Sequence, residues 1–419
     1  MKVVIVGQGY VGLPVAMRAV DVGHTVVGLE KDPRRAARLA AADSFVEDVS
    51  DAALAAALAT ERYLPTSITA EAKDFDVAVI TVPTPLHDGA PDLSYIEIAA
   101  QELAPLVTEG CTVILESTTY PGTTEELMVP ILEKGSGRVA GRDFHVGYSP
   151  ERIDPGNQTY TFVNTPKVVA GIDGPSLAAV KGFYGSLVTQ VVVAKGCKEA
   201  EMTKLIENTF RHVNVALVNE LAIFANELGI DVWDSIDAAS TKPFGFMRFT
   251  PGPGVGGHCL PIVPSYLSWR VKQSLNRQFR FVELANDINE HMPQYVVNRA
   301  TLMLNSMTKA IRGSRLMLLG LAYKKNSSDV RESPAVRVAA LLLDLGADVC
   351  VVEPFLDEVP TSLDGVSLVA LSGDEVDRAD LIIVLTDHDE FDFELIAAGS
   401  TAVLDTRHRL PAGPFIEAL

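Results

Sequence analysis

Cysteine is scarce in this sequence, and positive charge is outnumbered by negative charge. The 419 residues include four cysteines, Cys111, Cys197, Cys259 and Cys350, with no C-x-x-C pair among them. This usage argues against a disulfide framework or a zinc site, and it predicts free thiols in a reducing cytoplasm and no bound metal. Lysine and arginine total 35 against 54 acidic residues, which gives a net charge of -19. The deficit argues against nucleic acid and anionic membranes as partners, because both require clustered basic residues.

Long apolar runs are also missing. No stretch is long enough to cross a bilayer, and the first residues, MKVVIVGQGYVG, lack the pattern of a signal peptide. We therefore expect a cytoplasmic protein without a membrane segment. At 47% hydrophobic residues, the chain is long enough for two or three domains with cores of their own.

Short apolar runs that alternate with helical patterns predict an α/β fold. Residues 3–6 form such a run, and a helical pattern and a second run follow in VGLPVAMRAVDVG and HTVVGLEKD. A helical pattern without proline or glycine then extends from Lys198 to Gly229, and strand–helix alternation resumes near Ser314. We predict two Rossmann-like, doubly wound parallel-sheet domains joined by a helical domain with one long helix. The expected boundaries are residues 1–197, 198–310 and 311–419.

A glycine motif at the first strand end predicts a dinucleotide site. Gly7, Gly9 and Gly12 form G-x-G-x-x-G between a strand and a helix, the context in which this motif holds a pyrophosphate. Glu30 ends the second strand, where a carboxylate accepts hydrogen bonds from ribose hydroxyls and favours NAD over NADP. Neighbouring basic residues at positions 31, 34 and 35 blur that preference. The alternative is a glycine-rich turn in a different doubly wound fold.

Polar residues at two other places are candidates for chemistry. Lys204 and Asn208 lie one turn apart on the long helix, and periodicity alone favours the solvated side for this pair. The alternative is an inward pair that binds an oxygen at the reaction centre. Ser117 and Thr118 end a buried strand, where ligands bind in open α/β sheets. Glu151 lies in the proline-bounded turn YSPERIDPGN, where a surface charge is the default interpretation.

The segment PGPGVGGHCLPIV, residues 251–263, places Cys259 among glycines and prolines. Such a density excludes a helix interior or a central strand and predicts a loop with special backbone angles. Glycines there let a backbone approach a bulky ligand closely, as a reactive thiol requires. A buried structural thiol is the alternative.

The chain resembles the nucleotide-sugar 6-dehydrogenase family, which includes UDP-glucose and UDP-N-acetylhexosamine dehydrogenases. The resemblance spans essentially the whole chain and rests on the order of the motifs GQGYVGLP, VPTP, ESTTYPGTT, SPERIDPGN, EMTKLIENTFR, PGPGVGGHC and GLAYKKNSSDVRESP. It implies an N-terminal NAD-binding domain, a helical dimer-forming domain and a C-terminal nucleotide-binding domain. It also implies two successive oxidations of a sugar C6 alcohol to a carboxylate.

The resemblance implies roles for individual residues. Cys259 matches the nucleophile that adds to the intermediate aldehyde and allows a second hydride to leave. Lys204 and Asn208 match residues that stabilise the developing oxyanion. Thr118 matches a position that holds a catalytic water, and Glu151 matches the general base.

The resemblance also implies ligand contacts. The expected cofactor-binding residues are Gly7, Gly9, Tyr10, Val11, Gly12, Glu30, Arg35, Pro83, Thr84, Thr118 and Arg331. The expected nucleotide-sugar contacts are Glu151, Arg152, Lys204, Asn208, Arg211, Arg248, Gly256 and Lys324, of which Arg248 matches less well. His258 is interpreted as a loop residue, and a Cys–His dyad stays open. A homodimer through the long helix is expected.

One position departs from the family pattern. The family commonly carries an aspartate four residues after the cysteine, beside the helix lysine, and this chain has Val263 there. A nearby carboxylate normally favours the ammonium form of a lysine. We hypothesise that thiohemiacetal chemistry survives the change but that thioester hydrolysis or the overall rate suffers.

The substrate and two rival functions stay open at this point. The segments ENTFR and CLPIVP are closer to the branch that acts on N-acetylhexosamines, while UDP-glucose and dTDP-glucose are alternatives. A β-hydroxyacid dehydrogenase would share the N-terminal fold and the helix lysine and asparagine, but would perform one oxidation without a thiol. A catalytically decayed nucleotide-sugar-binding protein is the non-enzymatic alternative.

Overall fold

A computed structural model describes residues 1–87, 89–154, 157, 159–257, 260 and 262–419. The chain forms two compact units, Met1–Glu207 and Asn208–Leu419. Each unit contains its own β-sheet with helices packed against it. The finer division at residues 197 and 310 stays a prediction.

The first unit is built on one large sheet with the strand order β10-β9-β8-β7-β4-β1-β2-β3. Neighbouring strands are parallel except β8 and β9, which run antiparallel. The strands, including a small β5–β6 hairpin, are β1 (Lys2–Val6), β2 (Thr25–Leu29), β3 (Tyr63–Thr66), β4 (Val77–Ile80), β5 (Leu86–His87), β6 (Ala90–Pro91), β7 (Thr112–Leu115), β8 (His145–Tyr148), β9 (Lys167–Gly171) and β10 (Val191–Val193).

Helices cover both faces of this sheet. Val4 and Val6 face one apolar cluster while Val3 and Ile5 face another, because alternate side chains of a strand point to opposite faces. Short 3-10 segments and a π-helical turn, Thr123–Met128, connect some elements. The helices are α1 (Gly12–Asp21), α2 (Pro33–Ala40), α3 (Asp51–Ala59), α4 (Ser94–Leu103), α5 (Val129–Ser136) and α6 (Gly174–Leu187).

The long helix is confirmed: α7 spans Cys197–Leu228, 32 residues. Gly229 follows it with φ +65°, a left-handed conformation that ends many helices and suits glycine. Among the described residues, no helix combines the length and the apolar character that a bilayer span needs.

The second unit contains a fully parallel sheet with the strand order β13-β12-β11-β14-β15-β16. Its strands are β11 (Arg315–Leu319), β12 (Asp348–Val352), β13 (Ser367–Leu368), β14 (Leu381–Val384), β15 (Val403–Asp405) and β16 (Ile416–Ala418). Its helices after α7 are α8 (Val232–Ser240), α9 (Val263–Leu275), α10 (Arg280–Ser306), α11 (Pro334–Asp344), α12 (Gly373–Arg378) and α13 (Phe393–Ala398). The predicted α/β class with two Rossmann-like sheets and a long helix is therefore confirmed.

The two sheets share a local plan at the end of their first strand. In the first unit, Gly7 N–H donates to Leu29 O at 2.8 Å; in the second, Gly320 N–H donates to Val352 O at 2.9 Å. A glutamate follows the second strand in each case. Glu30 accepts from Gln8 N–H at 3.2 Å and from Asp32 N–H at 3.2 Å.

Glu353 occupies the matching place in the second unit, and a histidine is among its partners. Its carboxylate accepts from Leu321 N–H at 2.7 Å and from Phe355 N–H at 3.1 Å, and it also contacts His388 Nε2 at 3.2 Å. Because His388 Nδ1 accepts from Asn326 N–H at 2.9 Å, the ring proton lies on Nε2 and is donated to Glu353.

Candidate functional site

The glycine motif of the first unit forms a cradle that fits a dinucleotide. Gly7 has φ +92°, and a Cβ on Gly12 would lie 1.9 Å from Gly7 O, so only glycine allows α1 to begin this close to the strand. A Cβ on Gly9 would meet no atom within 4 Å, which leaves open space beside its backbone. Among the described residues no side chain caps the start of α1, so its partial positive charge is available to a phosphate.

Glu30 fits the ribose-binding role that its position predicts. The side chain is buried, and Arg35 Nη2 lies 3.8 Å from its Oε2. The Arg35 guanidinium also stacks 4.2 Å from the centroid of the Phe45 ring. The carboxylate is thus held at the strand end by Gln8 and Asp32, with acceptor capacity for hydroxyl groups.

Two strand ends beside this cradle bring Thr84 and Thr118 together. Thr84 is buried and its Oγ1 donates to Thr118 O at 2.8 Å. Ser117 Oγ donates to Val82 O at 2.7 Å, which ties the ends of β7 and β4. Thr118 itself is half-buried, Pro83 is exposed, and of the other predicted cofactor residues Tyr10 is exposed and Val11 is half-buried.

Glu151 is not a surface charge, so the default interpretation of its turn is wrong. Its side chain is buried, with a residue exposure of 7%. Oε1 accepts the backbone N–H groups of Arg152, at 2.6 Å, and of Ile153. Oε2 pairs with Lys167 Nζ at 3.2 Å. The carboxylate is therefore fixed from both oxygens.

The electrostatic surroundings of Glu151 favour its ionised form. Burial opposes ionisation, but the Lys167 charge, a hydrogen bond from Glu116, the Ile153 N–H and the Lys204 charge outweigh it and lower the pKa of Glu151 below its usual range. At neutral pH this residue is a carboxylate.

Arg152, a predicted substrate contact, is held by residues of its own unit. Its Nη1 donates to Pro166 O at 2.6 Å, and its Nη2 pairs with Glu207 on α7 at 2.8 Å. The turn after β8 is thereby linked to α7.

The helix pair lies on the buried side of α7, so the periodicity-based preference for the solvated side is wrong. Lys204 has 8% exposure and Asn208 has 3%. Asn208 Nδ2 is a buried donor without a hydrogen-bond partner among the described residues. Arg211, one turn later, is exposed.

The glycines of the cysteine loop pack against protein in the second unit. A Cβ on Gly256 would lie 2.7 Å from Tyr323 Cβ and 2.8 Å from Glu332 O, and one on Gly257 would lie 2.7 Å from the Tyr323 ring. Gly257 N–H donates to Arg331 O at 3.0 Å. The absence of side chains at these glycines thus lets the segment 323–334 pack closely against the loop. The sequence had suggested only that a ligand approaches the backbone here. Cys259 and His258 lie outside the described residues.

A buried polar network supports the start of this loop. Gly252 N–H donates to Asn219 Oδ1 at 3.0 Å, and Asn219 Nδ2 donates to Asn289 Oδ1 at 2.9 Å. His212 Nε2 contacts Asn286 Oδ1 at 2.7 Å, and burial lowers the pKa of His212. The loop is therefore anchored by amides of α7 and α10 next to a neutral imidazole.

Three further predicted ligand contacts in the second unit are held by neighbours. The Arg248 guanidinium pairs with Asp237 at 2.6 Å, and that of Arg331 pairs with Asp329 at 2.6 Å; both arginines are exposed. Lys324 is half-buried, and its ammonium lies 5.9 Å from the centroid of the Tyr323 ring.

Sequence reasoning missed the charged residues that surround Glu151. Glu116 and Lys167 are buried and form an ion pair with each other, and Tyr184 OH hydrogen-bonds to Glu116. The sequence signal that could have indicated them is a charged residue directly beside a buried apolar run. Glu116 ends VILE, and Lys167 begins KVVA. Glu201, buried on α7, was missed for lack of any such signal.

Comparison with known proteins places this arrangement in a family. Sequence models of the UDP-glucose/GDP-mannose dehydrogenase family match in three parts: the NAD binding domain at residues 1–188, the central domain at 198–291 and the UDP binding domain at 317–411. A UDP-N-acetyl-D-mannosamine dehydrogenase of Pyrococcus horikoshii is 35% identical over 93% of this chain and 90% of its own length.

Two further comparisons agree. An NDP-N-acetyl-D-galactosaminuronic acid dehydrogenase of Ralstonia solanacearum is 32% identical over 96% of this chain and 95% of its own. The solved structure of a UDP-D-ManNAc dehydrogenase from Pyrococcus horikoshii superposes with a TM-score of 0.89 at 31% identity, covering 100% of this chain and 99% of that one. The predicted family and the predicted cofactor NAD are thereby confirmed. The chain therefore belongs to the UDP-glucose/GDP-mannose dehydrogenase family and is an NAD-dependent dehydrogenase of nucleotide sugars.

Proposed function

We propose that this enzyme oxidises the C6 alcohol of a nucleoside-diphosphate hexose twice, to the uronic acid, through a thiohemiacetal and a thioester on Cys259. The observation that carries the proposal is the buried amide of Asn208, whose Nδ2 lacks a partner among the described residues and lies one turn from the buried Lys204. A buried donor left without a partner costs roughly 1–3 kcal/mol. A substrate oxygen that gains negative charge would provide that partner.

In the first oxidation the C6 hydroxyl loses a proton and C6 loses a hydride, which leaves an aldehyde. NAD, when bound at the glycine cradle and Glu30, supplies the hydride acceptor. Lys204 and Asn208 stabilise the negative charge that develops on the C6 oxygen.

The thiolate of Cys259 then adds to the aldehyde carbon and forms a tetrahedral thiohemiacetal. The thiohemiacetal hydroxyl then loses its proton and the carbon loses a second hydride, for which NAD, when bound, would again supply the acceptor; the product is a thioester. The remaining thiols are poor candidates, because burial raises the pKa of Cys111, Cys197 and Cys350. Among the four cysteines, this leaves Cys259 as the candidate nucleophile.

Hydrolysis of the thioester completes the cycle. Thr118 orients a water molecule, and the Glu151 carboxylate takes a proton from it as the oxygen attacks the thioester carbon. The products are the uronate and the free thiol. The ionised, doubly anchored state of Glu151 supports this role.

We favour a UDP-N-acetylhexosamine as substrate. The two relatives compared above are named for N-acetylated sugars, and the segments ENTFR and CLPIVP agree with that branch. UDP-glucose and dTDP-glucose are the alternatives.

An NADH-production screen with UDP-GlcNAc, UDP-ManNAc, UDP-glucose and dTDP-glucose tests the proposal. We expect two NADH per molecule of acid with an N-acetylhexosamine substrate, and loss of acid formation in Cys259→Ser. One NADH per product, unaffected by Cys259→Ala, would instead indicate a single oxidation of the β-hydroxyacid type. Ligand binding without any NAD reduction would contradict catalysis altogether.

We also propose a homodimer that forms through α7. The exposed large apolar side chains of this helix include Phe210, Leu217, Leu221, Phe224 and Leu228. Their spacing of 7, 4, 3 and 4 residues puts them on one face of the helix. Such a continuous exposed stripe on a long helix supports burial against a second copy.

A further inference from the structure

Two buried carboxyl groups in the first unit share one buried lysine. Glu116, directly after β7, has 1% exposure, and Lys167, the first residue of β9, has 3%. The Lys167 ammonium contacts Glu116 Oε1 and, at 3.2 Å, Glu151 Oε2. The Lys167 ammonium is therefore shared by the Glu116 and Glu151 carboxyl groups in a buried region.

Charge balance among Glu116, Glu151 and Lys167 favours one proton in this cluster. If both carboxyls were ionised, the cluster would hold one uncompensated negative charge, and a buried unpaired charge costs several kcal/mol. Two carboxyls that share a site instead keep one proton between them, as like charges repel at short range.

The hydrogen bonds indicate which carboxyl holds the proton. Glu151 accepts two backbone N–H groups besides Lys167, and backbone donors stabilise only an acceptor. Glu116 accepts from Lys167 and Tyr184, and a hydroxyl such as that of Tyr184 is able to accept a proton in return. Burial is the largest effect on Glu116 and raises its pKa, and the nearby Glu151 charge raises it further. The charge of Lys167 acts in the opposite direction.

The phenols around the cluster do not supply compensating charge. Burial raises the pKa of Tyr148 and of Tyr184 well above the usual range, so both phenols are neutral. Lys204 on α7 adds a positive charge near Glu151. The proton on Glu116 and the charges of Lys167 and Lys204 therefore set the state of Glu151.

We propose that Glu116 and Lys167 are positioning residues for the proposed general base, with Glu116 holding the cluster's single proton so that Glu151 stays ionised and fixed toward the thioester water. The inference rests on the proposed role of Glu151. It predicts a protonated carboxylic acid in the folded enzyme at neutral pH, a state that the assignment of Glu151 alone does not require.

Infrared spectroscopy of the full-length protein tests the proton directly. We expect a carboxylic-acid C=O band at pH 7 that shifts in deuterium oxide and is lost in Glu116→Gln. The band should also be lost in Glu151→Gln, because Glu116 and Lys167 then form a simple ion pair. Wild-type minus variant difference spectra separate this band from that of other carboxyls, and Glu102→Gln, on the exposed face of α4, is the matched control. A band unchanged in Glu116→Gln would overturn the proposal.

The pH profile of acid formation tests the role of Lys167. Lys167→Met should move the acid limb of kcat upward by at least about one pH unit, roughly a tenfold loss at acidic pH. Lys167→Arg should restore the wild-type limb, whereas a merely structural role would lower kcat equally at all pH values. An unshifted limb in Lys167→Met would contradict the proposal. If Lys167→Met does not fold, the infrared spectra of Glu116→Gln and the wild type still test whether Glu116 holds the proton.

Variants of Glu151, Glu116 and Lys167 distinguish a failure of the proposed base from a failure of the positioning role. Full acid formation by Glu151→Gln would refute the proposed role of Glu151, whatever the infrared spectra show. Loss of acid formation in Glu151→Gln, together with wild-type spectra and pH profiles in Glu116→Gln and Lys167→Met, would refute only the positioning role.

Discussion

Gly9 and Gly12 belong to one motif, yet the space beside their Cα atoms differs completely. A Cβ on Gly12 would lie 1.9 Å from Gly7 O and 2.4 Å from Thr81 Oγ1, while one on Gly9 would meet nothing. One glycine is required by the protein itself, and the other leaves room that a cofactor phosphate would use.

Alanine at the two positions should therefore have opposite effects. Gly12→Ala should lower the free energy of unfolding by several kcal/mol, because backbone must move. Gly9→Ala should change it by less than about 1 kcal/mol but weaken NAD binding at least roughly tenfold. Urea unfolding without ligand and calorimetric titration with NAD measure the two quantities. Wild-type NAD affinity in Gly9→Ala would contradict the assignment of the cradle.

Val263 occupies the position at which the family pattern commonly has an aspartate. It is buried as the first residue of α9, where a helix N-terminus favours an acidic side chain but burial penalises its charge.

Val263→Asp should raise kcat for acid formation at least roughly tenfold, as added proton-transfer groups commonly do, and should cost stability. Val263→Asn is the matched control, because it adds the same bulk without a charge. Steady-state kinetics and urea unfolding of both variants provide the test. Equal kcat values in the wild type and Val263→Asp would mean that this position does not limit the reaction.

At the residue scale, the sequence predicted those placements that belong to a local pattern. Glu30 was predictable because its spacing from the glycine motif is set by one βαβ unit. Glu116 and Lys167 were not, because they lie 51 residues apart and meet only through sheet order. The burial of Lys204 was missed because periodicity describes a helix face without saying what packs on it.

Among the elements, the π-helical turn that precedes α5 is capped by a carboxylate from another helix. Glu201 on α7 accepts from Gly122 N–H at 2.5 Å, from Thr124 N–H at 2.8 Å and from Thr124 Oγ1 at 2.7 Å. Burial nevertheless raises the pKa of Glu201 to about 7, against the effect of these donors. The folded chain thus binds a proton at Glu201 more tightly than the unfolded chain does.

Stability should depend on pH through this one cap. For a carboxyl with a raised pKa, the contribution is complete below the unfolded value near 4.5 and is lost as pH rises through about 7. Glu201→Gln keeps an acceptor but does not titrate, so the wild type should lose on the order of 2–3 kcal/mol relative to it between pH 5 and pH 8. Urea unfolding at both pH values measures this loss. Glu199→Gln, exposed on the same helix, is the control, and identical pH dependence in Glu201→Gln and the wild type would contradict the prediction.

Most strands and long helices were predictable because each is a continuous apolar or amphipathic run. The limits of α7 followed from Gly229 and from the absence of proline and glycine inside the helix. The antiparallel β8–β9 pair was not predicted, because direction depends on where the connecting chain returns and leaves no periodic signal.

For the whole molecule, the apolar stripe on α7 has a consequence in solution. A charge in the middle of a buried interface typically costs more than 2 kcal/mol of association energy. Leu221→Glu should therefore weaken the proposed dimer at least roughly a hundredfold, as measured by light scattering across a dilution series. Leu302→Gln, an exposed leucine of α10 outside the stripe, should leave the assembly unchanged. An intact Leu221→Glu dimer at low micromolar concentration would show that the stripe is not the contact surface.

The shared plan of the two sheets has a further consequence for selectivity. The same glycine turn and the same acid recur in both halves of the chain, so backbone geometry alone would make them equivalent hosts for a nucleoside. The partners of the two acids differ, because His388 contacts Glu353 while Arg35 lies near Glu30. We therefore expect the two units to differ in nucleoside preference through the partners of one acceptor, and not through a different chain path.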